Sequence, residues 1–278
     1  MGVDPGPLLL IAAGAALYVR AIAVLRRRGR RISSWQQAAF AGGLLLTTAG
    51  LVGPVDTLSE DLLSAHMVQH LLIADLSAPL LLVGIRTPVL QNMLPPVVLR
   101  PLARQRWLRR VLGFIRRPLV AVPIFLISLY TWHFAFAFDA ALRHPAIHAA
   151  QHLCFVGGAM LVWWPVLEPE RARLRGELWK AGHVLAARFL GMMIAMAYIL
   201  TPGALYTGVY SAGTRHGMSA VADQRLAGGL MFIVDLLAFV AVLSFFFFRS
   251  ASDYDRDERA KAAEAAGAAA EERGALVS

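Results

Sequence analysis

Apolar residues along this chain gather into seven runs, at about 7–25, 35–54, 61–84, 118–138, 146–167, 183–206 and 226–248. Each is roughly 20 residues long, the length a helix needs to cross about 30 Å of hydrocarbon. Backbone groups inside a bilayer must satisfy one another, so runs of this length predict helices. A membrane barrel would show segments of about ten residues alternating apolar and polar, and the chain has none. The pattern predicts an all-α, polytopic membrane bundle of seven spans, covering residues 1–249. A charged, Ala-rich tail follows over 250–278. It is too polar to bury, and a frayed helix or a disordered segment is expected there.

Composition agrees with a membrane bundle. Of 278 residues, 58% are hydrophobic and mean hydropathy is +0.57, against about 45–50% apolar residues in a soluble domain. The pI near 10.5 does not point to nucleic acid, because the basic residues lie between the apolar runs. There they set topology. Arg26, Arg27, Arg28, Arg30 and Arg31 follow the first run, and eight arginines lie between Arg86 and Arg117. Arg171, Arg173, Arg175 and Lys180 follow the fifth run, and the tail adds Arg249, Arg256, Arg259, Lys261 and Arg273. One side of the membrane therefore carries twenty-two Lys and Arg; the other has Arg143, Arg215 and Arg225. The N-terminus is expected outside and the C-terminus in the cytoplasm, in a multi-pass plasma-membrane protein. The first run has no cleavage site and reads as a retained helix. The single cysteine, Cys154, excludes an internal disulfide.

Segment 97–116 interleaves arginines with Val, Leu, Trp107 and Phe114. It is either a helix on anionic headgroups or a solvated basic loop. Gly42-Gly43, Gly157-Gly158 and Gly228-Gly229 are expected to allow close helix approach. Trp35, Trp163 and Trp164 fall where interfacial anchors do.

The histidines sharpen the picture. With orientation set by Lys and Arg alone, seven of eight fall on the outer side: His66, His70, His133, His144, His148, His152 and His216. His183 is the exception. His66 and His70 are four apart, as are His148 and His152, so each pair shares one helix face, one turn apart. With His133 they form one layer of imidazoles on three helices. Neutral imidazole suits copper, zinc and iron, and His66, His70, His133, His148 and His152 are the metal-ligand candidates. Hydrogen bonding at the interface is the ordinary alternative for any one of them, and it is the expected reading of His144 and His216.

Additional candidates are Met231, Asp223, Asp75 and Asp235. Asp75 is nine positions after His66 and points to the opposite face of its helix, so a pairing with Arg188 or a place in a proton or ion path is expected instead. Met231 is a potential soft copper ligand, though a membrane methionine usually serves packing. Cys154 points away from the histidine face.

These motifs have a familiar order. His66-Met-Val-Gln-His70 opens the third run, and Tyr130-Thr-Trp-His133 closes the fourth. His144-Pro-Ala-Ile-His148-Ala-Ala-Gln-His152 leads into the fifth, which ends in Trp163-Trp164-Pro165. Ser219-Ala-Val-Ala-Asp223-Gln224 precedes Ala227-Gly228-Gly229-Leu230-Met231. Together, over about 60–248, they resemble the seven-helix CtaG-type cytochrome c oxidase assembly proteins associated with caa-type oxidases. That group is distinct from the single-span copper chaperone sharing the name. Where relatives carry an acidic residue before the last histidine, this chain has Gln151. The resemblance implies an assembly factor without catalysis of its own, handling copper. Its implied partners are cytochrome c oxidase subunits and copper-delivery proteins, with membrane lipid around it and no nucleic acid. Two other readings stay open. One is a redox protein with a His-ligated haem or di-metal site. The other, ranked last, is a transporter using Asp75, Asp235 and Arg188; no paired broken helices support it.

Overall fold

The computed structural model describes residues 5–167, 178–210 and 216–277, and among them helices are joined by turns and loops, with no strand. α1 spans Pro5–Arg27 and α2 Ser34–Leu51; a short α3, Pro54–Ser59, follows. The third apolar run is not one regular helix. It comprises α4 (Leu63–His70), a wide π-helical turn over Leu71–Leu76, and α5 (Ser77–Ile85). Short α6 (Leu90–Met93) and amphipathic α7 (Pro96–Arg104) and α8 (Arg106–Ile115) lead to α9 (Pro118–His133). Next come α10 (Ala135–Arg143), α11 (Pro145–Leu167), α12 (Leu178–Leu200) and α13 (Ala220–Val277).

Five of these segments are long and apolar enough to cross a bilayer: α1, the α4–α5 unit, α11, α12 and α13. The α8–α9 pair, bent by 78°, makes six if taken as one broken span. The expected count of seven is therefore met only in part. The difference is α2, whose Gln36, Gln37, Thr47 and Thr48 lower its apolarity. These groups are satisfied inside the protein. Gln36 donates to the carbonyls of Gly84 and Arg86, and Gln37 to Ile32. Thr47 donates to Gly43 and Thr48 to Leu44.

Three boundaries also differ from expectation. The fourth run, expected to reach 138, breaks at Phe134, and α10 starts a new direction. The sixth, expected to reach 206, ends at Leu200, because the residue before Pro202 disfavours α geometry. The tail, expected to fray, continues α13 to Val277. Its Ala, Glu and Arg are strong helix formers, and Asp253–Arg256 and Glu258–Lys261 pair along its exposed surface.

Glycines let the helices close. A Cβ on Gly228 would stand 2.7 Å from the Ala195 carbonyl of α12, and one on Gly43 2.8 Å from Leu81. A Cβ on Gly158 would lie 3.1 Å from Phe125. One member of each expected pair is at a crossing; Gly157 and Gly229 face open space. The main core cluster, with Met67, Leu71, Phe138, Tyr198, Ala227 and Met231, lies beside α4 and supports the histidine layer.

Candidate metal centre

α4 and α11 lay their histidine pairs against each other. Within helices the rings are one turn apart, with centroids 4.4 Å apart for His66–His70 and 4.2 Å for His148–His152. Between helices they meet at 5.2 Å for His66–His148 and 5.1 Å for His70–His152. The result is a four-ring quadrilateral. His66, His70 and His148 each offer a nitrogen lying within 4.8 Å of the other two. Metal–imidazole bonds of about 2.0–2.1 Å, as for zinc, need nitrogens within about 4 Å, so sub-ångström to ångström closure would complete a shared site.

Burial makes the arrangement informative. His66 is 0% and His70 6% exposed, and His148 and His152 are half-buried. Both nitrogens of His66 and His70, and Nε2 of His148 and His152, lack a hydrogen-bond partner. The Ser59 backbone lies beside His66 but outside hydrogen-bonding geometry. Buried polar atoms are ordinarily paired. A group of convergent, unpaired imidazole nitrogens is what a site for an exchangeable cation requires.

His133 is not part of the quadrilateral. Phe155 touches it at 5.7 Å and His70 at 4.6 Å, ring centre to ring centre. Nδ1 of His133 lies 2.7 Å from the Leu129 carbonyl and donates to it, leaving Nε2 as a buried lone pair. The carbonyl of His133 accepts from Tyr206 Oη. His144 is exposed, and His216 pairs with Asp61 at 3.3 Å, as the interfacial reading expects. His183, away from the cluster, bonds the Val162 carbonyl.

The acidic candidates have other occupations. Both oxygens of Asp223 accept from the first amides of the histidine helix, Leu63 N at 2.7 Å and Ser64 N at 3.0 Å. Asp223 thus caps α4 from α13, answering donors that a helix start leaves orphaned. Asp75 and Asp235 both accept from Arg188, the latter at 2.9 Å. The pairing expected for Asp75 is present. Asp75 is expected to point away from His66, and the cavity it shares with His70 and His133 does not include His66. Asp75 itself lies in the π-helical turn that follows His70. Asp75, Arg188, Asp235, Met231, His70 and His133 line one narrow cavity of about 40 Å³. Met231 is 8% exposed and belongs to the core cluster.

Several positioning residues escaped sequence reasoning. Gln69 donates to the Gly50 carbonyl at 2.9 Å and to Asp56 at 2.8 Å, fixing α4 between its two histidines. Gln224 accepts from Leu205 N and donates to the Tyr198 and Gly203 carbonyls. Tyr210 Oη donates to the Ser59 carbonyl. Tyr206 and Tyr210 share the four-residue spacing of the histidine pairs, the one signal that could have marked them.

A family model described as cytochrome c oxidase caa3 assembly factor (Caa3_CtaG) matches residues 16–253. The chain belongs to the Caa3_CtaG family. The match begins well before residue 60, so it takes in the second half of α1 and all of α2 as well as the histidine helices. Uncharacterized proteins of Mycobacterium bovis and Mycobacterium tuberculosis are each 26% identical over 253 residues, covering 84% of this chain. The alignment takes in 37% of each relative's length, so the Caa3_CtaG chain spans about a third of those proteins. No solved structure matches it.

Proposed function

We propose that this Caa3_CtaG protein supports maturation of a haem–copper cytochrome c oxidase by holding copper at His66, His70 and His148, with His152 as a fourth or exchanging ligand. The observation that carries the reading is the set of three nitrogens within 4.8 Å, buried and without hydrogen-bond partners. Family membership supplies the oxidase. The Lys and Arg distribution supports seven spans in the plasma membrane, with the N-terminus outside and α2 as the least apolar span. The cluster then faces the outer side, where oxidase subunits and copper-delivery proteins would exchange the ion. Copper here is cargo, so the site needs ligands that are few and releasable. The half-buried α11 pair provides the accessible side.

The haem reading is weaker on geometry. Two axial histidines must leave a gap for a macrocycle, whereas His70 and His152 are 5.1 Å apart, edge to face, with Phe155 against His70. An optical spectrum separates the readings: a Soret band in purified protein favours haem. The functional test is oxidase activity under copper limitation. Replacing both His70 and His152 by Ala should leave the protein in the membrane but lower oxidase activity, with partial recovery on added copper. Full activity in that strain would refute the metal role. Normal oxidase in a deletion strain would refute the assembly role.

A further inference from the structure

α8 carries no buried residue, and its two sides are completely sorted. At 3.6 residues per turn, Trp107, Leu108, Val111, Leu112, Phe114 and Ile115 fall on one side. Arg106, Arg109 and Arg110 fall on the other, and Arg116 and Arg117 follow at the helix end. The apolar side is bare: Trp107 is 63%, Phe114 54% and Val111 47% exposed. The side chains of Arg106, Arg109 and Arg110 make no hydrogen bond or ion pair among the described residues, and no acidic residue occurs between Arg86 and Arg117.

Direction selects the occupant. α8 is bent 78° from α9. α9 opens the apolar run at 118–138 that is expected to cross the bilayer, and a helix bent this far from it would run close to the membrane plane, at the level of the headgroups. There an apolar side meets acyl chains and an arginine side meets lipid phosphates. The elbow is fixed by Arg116, whose guanidinium lies 5.3 Å from the Trp164 ring centre and donates to the Leu112 carbonyl. Trp164 also lines a small cleft of about 50 Å³ with Leu82, Ile85, Thr87, Leu90, Leu167 and the exposed Arg86. Its lining is apolar apart from Thr87 and Arg86, which suits part of an acyl chain beside a phosphate.

We propose that α8 is an anionic-phospholipid-binding helix lying in the headgroup layer, with one such lipid seated at its elbow with α9. Full-length protein carrying Cys154→Ser is placed in nanodiscs of phosphatidylcholine, with or without phosphatidylglycerol. A nitroxide is attached to Val111→Cys or Gly113→Cys, on the apolar and arginine sides. In anionic discs the label at 111 should be open to oxygen and shielded from a water-soluble nickel chelate, and the label at 113 the reverse. Native mass spectrometry should show phosphatidylglycerol retained over phosphatidylcholine, a preference lost in Arg109→Gln/Arg110→Gln/Arg116→Gln. Monodisperse variants of unchanged helicity keep the comparison valid. Equal nickel access at 111 and 113 overturns the interfacial placement. Unchanged phosphatidylglycerol retention in the glutamine variant overturns the anionic-lipid site. Shielding of 111 that arises only on adding oxidase subunits assigns the face to a protein and overturns the proposal.

Discussion

Arg188 is 3% exposed in its side chain and holds Asp75 and Asp235 together in the middle of the bundle. Removing one partner of a buried ion network strands the others. Arg188→Leu should cost about 3–5 kcal/mol, seen as a lower thermal unfolding midpoint in detergent. Adding Asp75→Asn and Asp235→Asn should recover much of that loss. A single Arg188→Leu variant as stable as the parent would show that the triad does not hold the helices together. Asp223 acts differently, by capping α4. Asp223→Ala should cost about 1–2 kcal/mol and also weaken copper binding, because the cap positions the helix that carries His66 and His70. Unchanged copper affinity in a measurably destabilised Asp223→Ala would separate the cap from the site. The role of Asp223 was illegible in the sequence, because its partners Leu63 and Ser64 lie about 160 positions away. The two i,i+4 histidine pairs were legible because one helix face follows directly from spacing. The exclusion of His133 was not. It depends on Phe155 and on a bond to Leu129, neither of which spacing reports.

At the scale of elements, most helices follow from runs of apolar residues, and their ends follow from proline and glycine. The exception that matters is the π-helical turn at Leu71–Leu76. Ordinary α periodicity sends Asp75 away from His66; the wide turn contains Asp75, which lines one cavity with His70 and Arg188. Nothing in Leu-Leu-Ile-Ala-Asp-Leu announces that turn, since its apolar residues suit either helix. Close packing is better encoded. Gly228→Val should destabilise the α12–α13 crossing strongly, because its Cβ would meet the Ala195 carbonyl, which is backbone and cannot move aside. Gly229→Ala, facing open space, should unfold within about a degree or two of the parent, as surface substitutions do. Equal effects of the two substitutions would mean that the crossing at Gly228 is not the close one.

At the scale of the whole molecule, the expected seven-span topology would segregate charge and chemistry to opposite sides of the membrane. Lys and Arg would collect on one side and seven of eight histidines on the other. A reporter fused after Ser278 should be active only if it works in the cytoplasm; periplasmic-type activity there would reverse the orientation and turn the histidine layer inward. Copper binding at the α4–α11 quadrilateral carries the proposed function. It is tested most directly by loading purified full-length protein with copper, counting the metal and recording its X-ray absorption. One copper per chain is expected, in an imidazole-nitrogen shell that is lost in a folded His66→Ala/His70→Ala/His148→Ala variant. Retention of the same copper and the same shell by that variant, or no copper on the folded parent, would contradict it.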